Sequence, residues 1–94
     1  MFDRNMAKFV EVCEGGYDRE EKSLREVLIN PNYVAAVVPC THTETQLQEG
    51  RLPEGLNPAQ KFSRIILADG RTQHVVVGDV AAVELRLRLR LLRG

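Results

Sequence analysis

The sequence predicts a small, mainly β domain of the α+β class: an antiparallel sheet or partly open barrel of about five strands with a C-terminal helix. Three observations carry this expectation. Short runs rich in Val, Ile and Leu recur along the 94 residues, separated by Gly, Pro and Asn. Asp69-Gly70 stands between two β-branched runs, a strong local signal for a β-hairpin. A leucine- and arginine-rich segment then closes the chain behind Asp79.

The first strand is Ala7–Glu14, AKFVEVCE, in which Phe9, Glu11 and Cys13 share one face and Lys8, Val10 and Val12 the other. Gly15-Gly16 ends it, and a charged loop runs from Tyr17 to Ser23. Leu24–Ile29 reads as the second strand. Asn30-Pro31-Asn32 stops it, because proline fixes φ and supplies no donor. The continuous apolar run Tyr33–Val38 suits a strand covered on both faces, and its short link to the second strand predicts an antiparallel hairpin. Residues 40–61, punctuated by Gly50, Pro53, Gly55 and Pro58, read as a long loop. Phe62–Leu67 and Thr72–Val77 are the arms of the Asp69-Gly70 hairpin.

Residues 79–93 admit two readings. Asp79 is a good helix N-cap, and β-branched residues stop after Val83, which favours a helix. The strict Leu-Arg alternation from Leu85 to Leu91 has the period of a strand. On a helix, Val80, Val83, Leu87 and Leu91 form one stripe, and Leu85, Leu89 and Leu92 lie opposite. A domain this small cannot readily cover both sides of a terminal helix, so surplus leucine surface suggests a partner chain. The helix is the preferred reading.

The totals restrict the function classes. The chain is long enough for a single domain spanning 1–94, with residues 1–6 expected to be a flexible N-terminus. No run of about 18 apolar residues exists, so no membrane partner is expected. Two cysteines make no disulfide framework, and a cytoplasmic setting with reduced thiols is expected. Five Lys or Arg face nine Asp or Glu in residues 1–50, and eight face four in residues 51–94. Such asymmetry permits a polyanion partner, and equally a second copy of the chain.

Stretches 24–38 and 62–80 resemble the flagellar FlbD-like family of small β proteins. The matching residues are Glu26-Val27-Leu28-Ile29-Asn30-Pro31, Tyr33–Val38, Ile65-Ile66-Leu67-Ala68-Asp69-Gly70-Arg71 and Val75-Val76-Val77-Gly78-Asp79. The resemblance implies a hairpin–hairpin–helix architecture. The same hairpins are also similar to the β core of LytTR-type DNA-binding domains.

Candidate chemistry is sparse. Cys13, Cys40, His42 and His74 are the soft ligands, but no C-x-x-C spacing gathers them and no metal or other cofactor is expected. Cys40 and His42 stand two residues apart, with no third residue to orient a base, so an enzyme is not expected. No phosphate-binding glycine loop occurs. The expected function is that of a non-enzymatic, homo-oligomeric adaptor or assembly module. Its interface would comprise Val83, Leu85, Leu87, Leu89, Leu91 and Leu92. The alternative is nucleic-acid binding through Arg64, Arg71, Arg86, Arg88, Arg90 and Arg93, which are unaccompanied by interleaved aromatic residues for base stacking.

Overall fold

The computed structural model describes residues 6–14, 22–53 and 55–93, and the side chains of these except 14 and 90–93. The expected flexible N-terminus, apart from Met6, and most of the charged loop after Gly15-Gly16 lie outside the described residues. Five strands form: β1 (Ala7–Glu14), β2 (Lys22–Ile29), β3 (Val34–Pro39), β4 (Phe62–Leu67) and β5 (Gln73–Val77). Two helices join them, α1 (Thr41–Gln48) and α2 (Val80–Arg93), with a 3-10 turn at Pro31–Tyr33.

The strands make one antiparallel sheet in the order β2-β1-β5-β4-β3. Two hairpins are present, β1–β2 and β4–β5. The expected β2–β3 hairpin does not form: these strands occupy opposite edges of the sheet. The link itself is as short as expected, and only the 3-10 turn separates them. Asn30 Oδ1 accepts from Asn32 N, and Tyr33 N donates to Asn30 O, so the link turns outward into a corner.

This connectivity forces the sheet to curl. In a flat sheet the edge strands would lie about 19 Å apart, at about 4.8 Å per strand spacing. A 3-10 turn advances only about 2 Å per residue. The two edges are therefore drawn round until Val27 of β2 and Val34 and Val37 of β3 pack on one core. Among the described residues no ladder joins β2 to β3, so the barrel stays open along that seam.

The concave core contains Ala7, Phe9, Ile29, Ile65 and Val76, and Val83 and Leu87 of α2 fill it from below. The convex face carries a second core of Cys40, Leu52 and Phe62, with Val12, Val75 and Val77 packed against it. Period-two alternation serves both: on β1, odd-numbered Ala7 and Phe9 point into the concavity, while Val12 points to the convex side.

The first third of the expected 40–61 loop is helix α1. Its eight residues, THTETQLQ, contain a single large apolar side chain, so no helical hydrophobic period announces it. Contacts with β4 hold it. Leu47 packs on the convex core, Glu44 Oε2 accepts from Phe62 N at 3.4 Å, and Cys40 N donates to Phe62 O. Gly50, at φ 74°, ends it: Gly50 N bonds Leu47 O and Arg51 N bonds Gln46 O. The remainder, through Leu52 and Leu56, lies over the convex core.

The β4–β5 turn and the α2 cap follow expectation. Asp69 Oδ1 accepts from Arg71 N and Thr72 N, and Gly70 takes the positive φ of 73° that the turn requires. Asp79 Oδ1 accepts from Ala82 N at 2.8 Å and caps α2. Gly78, at φ 125°, turns the chain from β5 into that cap.

Candidate functional site

Helix α2 shows two faces of opposite character. Val83 is 1% exposed and Leu87 7%, whereas Leu85 is 58% exposed and Leu89 49%. A residue step of about 100° places Leu85 and Leu89 on the side away from the sheet. The expected interface list is thereby corrected: Val83 and Leu87 are consumed by the domain's own core and offer nothing to a partner. Leu85 and Leu89 remain available. The side chains of Leu91 and Leu92 lie outside the described residues.

The arginines with described side chains are not gathered into one patch. Arg86 donates to Lys8 O at 2.8 Å, and Arg88 lies 3.5 Å from Glu84 one turn earlier. Arg64 points to the convex side, its guanidinium 3.8 Å from Cys40 Sγ, while α2 lies on the concave side. Arg71 is exposed in the β4–β5 turn. The side chains of Arg90 and Arg93 lie outside the described residues.

The soft-ligand residues fall in two places, Cys40 and His42 at α1, and Cys13 and His74 beside Glu11. Cys40 is buried, and its thiol shares a hydrogen bond of 3.1 Å with Thr43 Oγ1. His42 is exposed on α1, so the Cys40–His42 pair is not assembled as nucleophile and base. Of the two thiols, Cys40 is the buried one and Cys13 is only partly covered. Among the described residues no three His, Cys, Asp or Glu side chains converge as metal ligands.

A polar cluster that the motif search did not find lies on the concave face. Glu11 is 6% exposed, although it is an acid. Strand pairing sets Arg25 directly opposite it on β2, and Arg25 Nε donates to Glu11 Oε1 at 2.9 Å. His74 on β5 hydrogen-bonds Glu11 Oε2 through Nδ1. Burial pushes the Glu11 carboxyl up, but the hydrogen bonds and charges of His74 and Arg25 outweigh it and hold the group below its ordinary value. Cys13 sits beside the cluster, 3.6 Å from Glu11 Oε1. Burial, and then the Glu11 charge, raise its thiol above the ordinary value and leave it less nucleophilic at neutral pH.

One signal for this cluster was visible: Glu11 shares a face with Phe9, so burying Phe9 also buries an acid that then needs a partner. Nothing in the spacing named His74 as that partner. Its position follows from β5 lying next to β1, a pairing between segments far apart in the chain.

No protein-family model, curated protein or solved structure matches this chain.

Proposed function

We propose that the chain is a non-enzymatic, self-associating β domain that serves as an assembly or adaptor module. The observation that carries this reading is the paired exposure of Leu85 and Leu89, at 58% and 49%, on the free side of α2. Two leucines one turn apart form a continuous apolar strip on a helix whose other side, at Val83 and Leu87, is buried in the core. The strip is flanked by opposite charges, Glu84 and Arg88. Two such helices packed antiparallel bring each glutamate toward the other copy's arginine, so a second copy of the chain suits the strip. The two free thiols accord with a reducing, cytoplasmic setting.

Nucleic-acid binding has less support, because Arg64 lies on the convex side of the sheet and α2, which carries Arg86 and Arg88, on the concave side. A polyanion would need them on one surface.

Light scattering across a concentration series tests the proposal. The intact chain is expected above its single-copy mass of 10.6 kDa. Leu85→Glu with Leu89→Glu is expected to return it to that mass with its circular dichroism unchanged. An intact chain that stays at 10.6 kDa at millimolar concentration removes the reading.

A further inference from the structure

His74, the partner of Glu11, lines a cavity that self-association does not use. The cavity opens between the end of β2, the 3-10 turn and the β4–β5 turn, with a volume of about 300 Å³. Met6, Leu28, Ile29, Leu67, Tyr33 and His74 line it. Among the described residues no Lys or Arg does. The one acid among them, Asp69, is occupied by the backbone N–H groups of Arg71 and Thr72 and by the Thr72 hydroxyl. Asn30 also contributes, but its Oδ1 is engaged by Asn32 N. Besides the Asn30 amide NH2 and the Tyr33 hydroxyl, the imidazole of His74 keeps hydrogen-bonding capacity, and its ring nitrogen is set among the apolar side chains.

We propose that this cavity binds a small, uncharged aromatic molecule bearing an O–H or N–H donor, which His74 accepts through Nε2. An ionised carboxylate only accepts hydrogen bonds, so the hydrogen between Glu11 and His74 belongs to His74 Nδ1. With a single ring hydrogen, held on Nδ1 by Glu11, the ring presents Nε2 as an acceptor. No described residue is bonded to Nε2. Glu11, braced in turn by Arg25, fixes both the tautomer and the ring orientation. Carboxylates set behind metal-binding imidazoles play that role. Burying an acid in so small a domain is costly, and a partner of another chemistry would serve stability as well. What an acid specifically supplies is an oriented acceptor at the cavity wall.

The ligand class follows from the lining. Apolar walls that hold no cation among the described residues disfavour an anion. The volume lies at the low end of small-molecule sites, which run from about 300 to 1,000 Å³ and at this size suit one or two rings. Tyr33, 62% exposed at the rim, offers a ring face for stacking.

The test is a two-dimensional NMR titration of the full chain with phenol, indole, toluene and benzoate. Phenol and indole are expected to give saturable shifts at His74, Leu67 and Tyr33. Toluene, which has no donor, and benzoate, which is an anion, are expected to bind about tenfold more weakly or worse. The His74 Nε2 resonance is expected to move with phenol and not with toluene. His74→Phe is expected to bring phenol and toluene within about twofold of each other. Leu67→Trp fills the cavity from the hairpin without touching the Glu11–His74 bond, and is expected to abolish binding of every probe. Absence of saturable shifts for all four probes overturns the proposal, as does toluene or benzoate binding as tightly as phenol. Binding that survives Leu67→Trp places the ligand elsewhere and overturns it too.

Discussion

Glu11 and His74 stand 63 residues apart in the chain, and their side chains are joined by a hydrogen bond on the concave face of the sheet. The pair ties β1 to β5 at the junction between the two hairpins, where the backbone pairing is limited to Glu11 opposite Val76. Its side chains reinforce the pairing across a junction that the backbone ladder leaves thin.

That bond makes stability depend on pH. Glu11 titrates below its ordinary value in the folded chain, so the unfolded chain binds the proton more tightly. The stabilisation is therefore full above about pH 4.3, the ordinary value for a glutamate, and drains away as pH falls through the lower folded value. Denaturant unfolding at a series of pH values is expected to show this loss, and Glu11→Gln is expected to flatten it. An unchanged pH slope in the variant contradicts the assignment.

At neutral pH, Glu11→Gln is expected to cost about 1–3 kcal/mol, because an amide satisfies Arg25 and His74 less well than a carboxylate. The chain should stay folded, since no apolar volume is lost. Equilibrium denaturation measures the cost, and a variant as stable as the parent rejects it.

Two leucine-region substitutions on α2 separate core from surface. Val83→Ala removes buried methyl groups and is expected to cost about 1–3 kcal/mol. Leu85→Ala, on the exposed face, is expected within about 0.5 kcal/mol of the parent at concentrations where the chain is single. Thermal or denaturant melts decide it, and equal costs at the two positions refute the orientation of the helix.

The cap on α2 is worth testing alone. Asp79→Ala leaves the Ala82 N–H without its acceptor and is expected to cost about 1 kcal/mol. Amide exchange should quicken in the first turn of α2 more than in β4.

The Asp69-Gly70 turn should discriminate by backbone shape. Gly70 holds φ 73° in open space, so strain there comes from the backbone and not from contact. Gly70→Asn is expected to be milder than Gly70→Val, because asparagine tolerates that region and a β-branched side chain does not. Equal melting temperatures for the two variants count against the conformation.

Local chemistry determined every element but α1 on its own. The Asp69-Gly70 hairpin, the Asp79 cap and the class of the fold were readable because a turn or a cap needs only neighbouring residues to specify it. The opposed leucine faces of α2 were readable for the same reason, given a helix of about 100° per residue. Helix α1 was hidden because its support comes from Phe62 and the convex core rather than from its own periodicity. The partnering of β2 and β3 was decided by tertiary structure alone: a short link looks the same whether it closes a hairpin or carries the chain round a corner between sheet edges. The Glu11–His74 contact belongs to that second kind. It exists because a curled sheet brings β5 beside β1, and no spacing within either strand encodes the neighbour it will meet.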